Sequence, residues 1–213
     1  MPVTTRQIAI LGGTFDPVHW GHIKPVQQVA EHFHFDCIHL LPTCLPPHRQ
    51  QPEALETHRL AMLEAAATLD DRFVVNDWEL RQGLPSRTLP TLKHFHASCA
   101  NATLYFIIGM DSLLNLPSWE HWERLFSYAH FIVLPRPGYS LSDASTDVKA
   151  LLQSRQAEAK NMQTGVGKIF IADVEPINIS ASELRDRLRD RTSKPELLPE
   201  PVWHYICKHN LYC

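Results

Sequence analysis

A short apolar run that ends at two glycines constrains the fold of this chain more than any other feature of its sequence. Residues 6 to 11 predict a buried strand, and Gly12 and Gly13 predict a tight turn directly after it. Beyond the turn, apolar side chains recur with helical spacing at positions 26, 29, 30 and 33. A second apolar run at residues 37 to 41 completes a strand, helix, strand unit, which is typical of parallel sheets.

The same alternation continues along the chain. A helical stripe at Leu60, Leu63 and Ala67 precedes strand candidates at residues 72–75, 104–108, 131–134 and 169–172, and a helix is predicted after Thr88. The tail predicts two helices, one through Leu184 and Leu188 and one after Pro199 and Pro201. We therefore predict an α/β fold with a Rossmann-like, doubly wound, mainly parallel sheet and helices on both of its faces. Residues 1–213 are predicted to form a single domain, with a C-terminal helical part from about 180 to 213 packed on it.

Composition excludes several classes of protein. The 213 residues carry 20 Lys and Arg against 23 Asp and Glu, a formal charge of −3, so no general basic field favours nucleic acid as a partner. The five cysteines form no CxxC pair, which suits reduced thiols. No apolar run reaches about 18 residues, the length a membrane helix needs. A cytoplasmic protein without a membrane partner is expected, and the oligomeric state is left open.

Two histidines, His19 and His22, open the helix that follows the glycine turn. Three residues apart, their rings can face one point above the N-terminus of the helix. Two imidazoles beside a helix dipole and main-chain N–H groups suit a chain of phosphates. A zinc site completed by Asp16 or by a distant residue is an alternative, but metal-binding pairs on helices usually stand four residues apart beside a carboxylate. One buried and one solvated histidine without function is a further alternative.

A second helix start, at residues 178 to 185, has features of an anion site. Ser180 and Glu183 form a capping-box pattern, which predicts the start of a helix whatever its function. Ser182 and Arg185 share one face of that first turn. The helix dipole does not stabilise an arginine at this end, but a bound anion would be stabilised both by the dipole and by the charge of Arg185. We therefore predict that Ser182, Arg185 and the first N–H groups hold phosphates, and that the two helix starts converge on one polyphosphate.

These motifs, taken together, resemble a known family. Gly-Gly-Thr-Phe-Asp-Pro-Val-His-x-Gly-His near the N-terminus and Ile-Ser-x-Ser-x-x-Arg near the C-terminus are similar to the HxGH nucleotidyltransferases, and most of all to the bacterial nicotinate-nucleotide adenylyltransferases. The similarity also covers Leu45–His48, Phe106–Ser112, Pro117–Trp119, Arg136–Gly138 and Leu197–Pro199.

The resemblance implies a nucleotidyltransferase domain that transfers AMP from ATP to nicotinate mononucleotide, with Mg²⁺ carried mainly on the ATP phosphates and no metal held by the protein. It implies His19, His22 and Arg185 as catalytic residues. The ATP-binding residues implied are Gly12, Gly13, Thr14, Phe15, His22, Gly109, Asp111, Arg136, Ile179, Ser180, Ser182 and Arg185. Those implied for nicotinate mononucleotide are His48, Thr88, Trp119 and Glu120.

Structural roles alone would also explain four of these residues. Trp119 is a candidate core aromatic, Thr88 and Asp111 are candidate helix caps, and His48 follows two prolines as a surface loop residue would. The chain also departs from the family pattern at Thr43–Cys44, Arg49, Arg87 and Ser182. Most of these departures surround the expected acceptor, so they bear on acceptor specificity more than on ATP.

Other functions fit the sequence less well. Pantetheine-phosphate adenylyltransferases have Thr where this chain has His19, and a class I aminoacyl-tRNA synthetase would need a KMSKS-like stretch. The segment Thr164–Lys168 is similar to a P-loop, but Ile169 stands where Ser or Thr is required. A non-catalytic nucleotide sensor on the same fold stays an alternative.

Overall fold

A computed structural model describes residues 5–44, 51–189 and 196–213 of the chain. The strands are β1 (Arg6–Gly13), β2 (Cys37–Pro42), β3 (Phe73–Val75), β4 (Ala102–Gly109), β5 (His130–Leu134) and β6 (Ile169–Ile171). The helices are α1 (Trp20–Phe33), α2 (Glu56–Ala67), α3 (Trp78–Gln82), α4 (Thr88–Ser98), α5 (Met110–Leu114), α6 (Trp122–Leu125), α7 (Thr146–Arg155), α8 (Ala181–Arg189) and α9 (Glu200–His209). Short 3₁₀ turns occupy Leu116–Ser118, Leu141–Asp143 and Ala159–Asn161.

The six strands form one parallel sheet with helices around it, in the order β3-β2-β1-β4-β5-β6. Ile8 of β1 lies opposite Leu104 of β4, and Tyr105 of β4 lies opposite His130 of β5. The central strands are buried along most of their length, as expected where helices cover a parallel sheet. The predicted Rossmann-like α/β fold is confirmed.

The chain divides into two compact units. One is formed from Gly12–Gln27, His39–Ser86 and Ile177–Cys213, and the other from Met1–Leu11, Gln28–Ile38 and Arg87–Pro176. We call the first the turn unit, because it contains the turn after β1, and the second the central unit. The prediction of a single domain stays a prediction.

Helix α1 has the buried face that its periodicity predicts, since Val26, Val29, Ala30 and Phe33 are all buried. Helix α2 differs from the prediction. Its buried stripe is Arg59, Met62, Leu63 and Ala66, whereas Leu60 and Ala67 are only half-buried. The helix is rotated because Arg59, a residue that apolar periodicity does not count, is fully buried.

Strand β1 continues through Gly12 and Gly13, which were predicted to form the turn. The reason is that the N–H of Thr43, just after β2, donates to the carbonyl oxygen of Gly13 at 2.9 Å. The turn therefore begins at Thr14. Within the described residues, none of the helices is long and apolar enough to cross a membrane.

Candidate active site

The turn between β1 and α1 is held by the side chain of Phe15. Phe15 has a left-handed backbone with φ of 51° and is buried. Its ring covers Gly13 so closely that a Cβ atom there would lie 3.0 Å from Phe15 Cζ. A side chain at position 13 would force the Phe15 ring to shift by a few tenths of an ångström, so packing within the turn favours glycine there, in addition to the predicted main-chain contact with a ligand.

His19 and His22 stand together at the start of α1. Their ring centroids are 3.8 Å apart with an interplanar angle of 30°, and the main-chain N–H of His19 donates to Nδ1 of His22 at 3.3 Å. Phe15 contacts the His22 ring edge-on at 5.1 Å. His19 is 5 % exposed and His22 is half-buried, so His22 is the more accessible of the two rings. The structure thus places the two imidazoles side by side, and their shared role toward a phosphate chain stays a prediction.

Gly21 brings the start of α1 against the segment that precedes α8. A Cβ atom at this glycine would lie 2.6 Å from Cγ2 of Ile179 and 3.0 Å from the His19 ring. Trp20 adds a main-chain bond from its N–H to the carbonyl oxygen of Leu197, at 3.0 Å. Both segments belong to the turn unit. The structure therefore brings the two predicted helix starts together.

The Ser180 half of the predicted capping box is present at the start of α8. The Ser180 hydroxyl accepts from the N–H of Glu183 at 3.2 Å, and Ser180 Oγ lies 3.2 Å from Ser182 Oγ. Ser182 is exposed, and α8 buries Leu184 and Leu188. Its first turn therefore presents two hydroxyl groups beside main-chain N–H donors.

Arg185 reaches from α8 to the turn after β1. Its NH1 group donates to the main-chain carbonyl oxygen of Asp16 at 2.8 Å, and its Nε donates to Glu53 at 2.7 Å. The side chain is 18 % exposed. Its positive charge is therefore held at the same turn that carries the histidine pair.

Asp16 joins three segments of the turn unit through its buried carboxylate. Oδ2 accepts from the N–H of Glu53 at 2.8 Å, and Oδ1 accepts from the N–H of Ala54 at 3.1 Å and from the Tyr212 hydroxyl at 2.8 Å. Burial raises the pKa of the Tyr212 phenol, and the charge of Asp16 raises it further. Tyr212 thus stays protonated and acts as a donor.

Arg59 of α2 stabilises the turn through a hydrogen bond to its main chain. Its NH1 group donates to the carbonyl oxygen of Thr14 at 2.8 Å, while its Nε and NH2 have no hydrogen-bond partner among the described residues. Burial lowers the pKa of this guanidinium, and the nearby carboxylates of Glu56 and Asp16 oppose that effect. The carbonyl groups of Thr14 and Asp16 are both fixed by arginines, so the turn is held from two sides.

In the central unit, Gly109, Asp111 and Arg136 form a second cluster at the end of β4. Arg136 NH1 donates to Asp111 Oδ2 at 2.6 Å, and the Asp111 side chain is 13 % exposed. A Cβ atom at Gly109 would lie 2.5 Å from Asp111 Oδ1, so glycine leaves room for the carboxylate to turn back over the strand end. Asp111 is the second residue of α5 and not its cap, since Gly109 occupies the cap position.

The residues predicted for the acceptor also lie in the central unit. Thr88 is the first residue of α4, whose cap position is Arg87, so Thr88 is not the N-cap. Arg87 pairs with Glu120, the neighbour of Trp119. This ion pair joins the start of α4 to the segment of Trp119, which is half-buried and not a core aromatic. His48 and Arg49 lie outside the described residues.

Sequence reasoning missed Glu53, Arg59 and Tyr212, and it considered Asp16 only as a zinc ligand. Each acts through a contact with a residue distant in sequence, so no local pattern marks it. A charged residue inside an apolar helical stripe was the one available signal for Arg59. Among residues 5–44, 51–189 and 196–213, no group of three or more His, Cys, Asp or Glu side chains could hold a metal ion.

The chain is similar to known proteins over nearly its whole length. The cytidylyltransferase-like family model matches residues 10–187, which span both helix starts and the Asp111 cluster. A probable nicotinate-nucleotide adenylyltransferase of Idiomarina loihiensis is 39% identical over 207 residues, which cover 96% of this chain and 98% of the relative. One of Shigella boydii is 41% identical over 208 residues, covering 96% and 97%. The chain belongs to the cytidylyltransferase-like family and, within it, to the nicotinate-nucleotide adenylyltransferases.

Solved structures agree at the level of the fold. Nicotinic acid mononucleotide adenylyltransferase of Plasmodium falciparum, complexed with NaAD, is similar with a TM-score of 0.74 and 19% identity over 97% of both chains. The same enzyme complexed with APC has a TM-score of 0.73, also at 19% identity over 97% of both chains. At this identity the similarity supports the Rossmann-like fold alone.

Proposed function

We propose that this protein transfers AMP from ATP to nicotinate mononucleotide, which yields nicotinate adenine dinucleotide and pyrophosphate. The observation that carries the proposal is the meeting of the two helix starts, with Gly21 against Ile179 and Arg185 on the Asp16 carbonyl. Relatives about 40% identical over nearly the whole chain carry the name of this activity. The whole chain is proposed to act as one nucleotidyltransferase domain.

The proposed reaction needs positioning and neutralisation of charge more than acid–base chemistry. The acceptor phosphate is already ionised, so its oxygen can attack the α-phosphorus of ATP in line with the departing pyrophosphate. The bond from the α-phosphorus to the bridging oxygen breaks, pyrophosphate takes that electron pair, and no covalent enzyme intermediate is required. Negative charge builds up on the phosphoryl oxygens during this step, and hydrogen-bond donors of the protein must stabilise it.

The turn unit supplies such donors in the proposed mechanism. His19, His22 and Arg185 act as the catalytic residues and stabilise charge on the phosphates. The main chain of Gly12, Gly13, Thr14 and Phe15 and the start of α8 at Ile179, Ser180 and Ser182 bind the triphosphate. Gly109, Asp111 and Arg136 are proposed for the remainder of ATP, with Asp111 on the ribose.

Mg²⁺ is proposed to enter as part of the nucleotide substrate, because it keeps several waters and takes few protein ligands. The chemistry of the turn is consistent with this, since both Asp16 oxygens already accept hydrogen bonds from Glu53, Ala54 and Tyr212. That carboxylate is therefore a poor ligand for a metal ion.

The acceptor is proposed to bind at Trp119, Thr88 and Glu120, with His48 near its phosphate. Trp119 would stack on the pyridine ring, and main-chain N–H groups near Thr88 and Glu120 would receive the carboxylate. The contact of Arg87 with Glu120, which links these two positions, supports their joint role. We further propose that the protein works in the cytoplasm, where both nucleotide substrates are available.

Release of pyrophosphate tests the proposal directly. The protein is mixed with ATP, Mg²⁺ and nicotinate mononucleotide, and a parallel reaction contains the nicotinamide form. We expect pyrophosphate and the dinucleotide in equal amounts, at a higher kcat/KM for the nicotinate form, because the carboxylate is charged and the amide is not. Binding of ATP without pyrophosphate from either acceptor would instead identify a nucleotide sensor.

A further inference from the structure

The carboxylate of Glu53 bridges two arginines of α8. Oε1 accepts from Arg185 Nε at 2.7 Å, and Oε2 accepts from Arg189 NH2 at 2.8 Å. Glu53 lies just before α2. Its contacts with Arg185 and Arg189 therefore join residues more than 130 positions apart in the sequence. Nothing in the family motifs that identify the phosphate site includes Glu53.

Glu53 is itself fixed in place. Its main-chain N–H donates to Asp16 Oδ2 at 2.8 Å, so its backbone is tied to the turn that carries His19. Partial burial raises the pKa of its carboxyl, but hydrogen bonds and charge from Arg185 and Arg189 outweigh burial and lower the pKa overall. An ionised carboxylate in a set position therefore faces one edge of the Arg185 guanidinium.

This contact decides which donors of Arg185 are available to a ligand. A guanidinium has five N–H donors, one on Nε and two on each terminal nitrogen. Glu53 takes the single donor of Nε, and the Asp16 carbonyl oxygen takes one of NH1. NH2 makes no hydrogen bond to the described residues. While both contacts are kept, a phosphate can engage Arg185 only through NH2 and the second donor of NH1, which lies 3.7 Å from Asp16 Oδ2.

We propose that Glu53 is a positioning residue, which orients Arg185 so that its NH2 end faces the phosphates of ATP. The inference rests on the proposed function, because it takes Arg185 as a phosphate ligand. A charge-assisted hydrogen bond on one side of the guanidinium fixes its plane, and a fixed plane offers two parallel donors to one phosphate.

Glu53 could instead act as a plain counter-ion that ATP must displace. The two roles predict opposite kinetics. A positioning residue strengthens binding in the transition state, so its removal lowers kcat/KM for ATP. A displaced counter-ion weakens ATP binding through like charge, so its removal lowers the KM for ATP and leaves kcat unchanged.

The experiment measures kcat and KM for ATP in Glu53→Ala and Glu53→Gln, with Arg189→Ala as the matched control. Arg189→Ala removes the other half of the bridge and leaves the Glu53–Arg185 contact intact. We expect Glu53→Ala to lower kcat/KM by about tenfold, the loss of one charge-assisted hydrogen bond. Glu53→Gln, whose amide oxygen still accepts from Nε, and Arg189→Ala are expected to stay within about threefold of the unmodified protein.

A lowered KM for ATP in both Glu53 variants would overturn the inference in favour of a counter-ion. An equal loss of kcat/KM for ATP in Arg189→Ala and Glu53→Ala would also overturn it. An unchanged kcat/KM in Glu53→Ala would overturn it as well. A double-mutant cycle excludes a merely structural effect: in an Arg185→Ala background, Glu53→Ala should cause no further loss of kcat/KM. Normal turnover of Arg185→Ala alone would contradict the phosphate role in the proposed function, whereas impaired Arg185→Ala with normal Glu53→Ala would contradict only this inference.

Discussion

At the scale of single residues, the two histidines differ in exposure, because His19 is buried and His22 is partly open to solvent. Their ring centroids lie 3.8 Å apart. We expect His19→Ala and His22→Ala each to lower kcat by roughly 10²–10³, the usual cost of removing one preorganised stabiliser of charge. Steady-state pyrophosphate release measures the effect. His204→Ala, on the exposed face of α9, is the control and should turn over normally; near-normal turnover of either His19→Ala or His22→Ala would contradict the catalytic assignment.

Tyr212 stabilises the turn through a single hydroxyl group. Tyr212→Phe removes the donor at 2.8 Å from Asp16 Oδ1 and leaves a buried carboxylate with one hydrogen bond fewer. We expect the free energy of unfolding to fall by about 2 kcal/mol, as for a hydrogen bond to a charged group. Urea denaturation measures the change. Tyr139→Phe, whose side chain is 47 % exposed, should leave the unfolding free energy unchanged, and an equal midpoint for both variants would refute the role of the hydroxyl.

The residues of the site differ in how far the sequence could predict them. His19, His22, Ser182 and Arg185 follow local rules, since each stands at a helix start where spacing alone sets its direction. Glu53 and Tyr212 follow none, because their hydrogen bonds join segments that only the fold brings together. Asp16 was visible in the sequence, but its role depends on the partners that the fold supplies.

At the scale of elements, α1 and the segment before α8 fit together only because position 21 lacks a side chain. In Gly21→Ala the new methyl group would meet Ile179 Cγ2 at 2.6 Å and the His19 ring at 3.0 Å, so one of them must move. We expect kcat/KM for ATP to fall at least tenfold, because a shift of about 1 Å at a reacting centre can cost that much. The same steady-state assay, with ATP varied, gives the value.

A second substitution checks the cause of this loss. Ile179→Ala removes the atom that meets the new methyl group, so the double variant Gly21→Ala with Ile179→Ala should be less impaired than the product of the two single effects. Strictly additive losses would show that the clash lies elsewhere.

Elements were easier to predict than their exact orientation. Runs and helical spacing of apolar residues predict the strands and α1, and the structure contains these elements. The buried face of α2 differs from the predicted face by about one residue, because the side chain of Arg59 is buried and donates to the carbonyl oxygen of Thr14. A buried charge with a structural task breaks the rule that links apolar residues to the core.

At the scale of the whole molecule, stability should depend on pH through Asp70. Two parallel hydrogen bonds from Arg72, at 2.9 and 2.8 Å, lower the pKa of Asp70 to about 2. A carboxyl whose pKa is depressed in the folded state adds stability above its unfolded value near 4, and that stability is lost as the pH falls towards 2. The contribution is about 2 kcal/mol.

Asp70→Asn tests this dependence. The variant should unfold at a lower urea concentration at pH 7, and its stability should fall less steeply than that of the unmodified protein between pH 4 and pH 2. Asp173→Asn, at an exposed position whose side chain makes no hydrogen bond or ion pair to the described residues, serves as the control. Parallel pH curves for the unmodified protein and Asp70→Asn would rule out a stabilising role for Asp70.

The register of the sheet also has a consequence for how the chain reaches this structure. Strand β1 pairs with β4 from Arg6 opposite Ala102 onward, so two neighbouring strands are separated by about 100 residues of chain. Closing a loop of that length costs entropy before the pairing returns any contact, and chains rich in such distant pairings fold slowly. The rate of refolding should therefore be set by the arrival of β4 beside β1, long after the individual helices have begun to form.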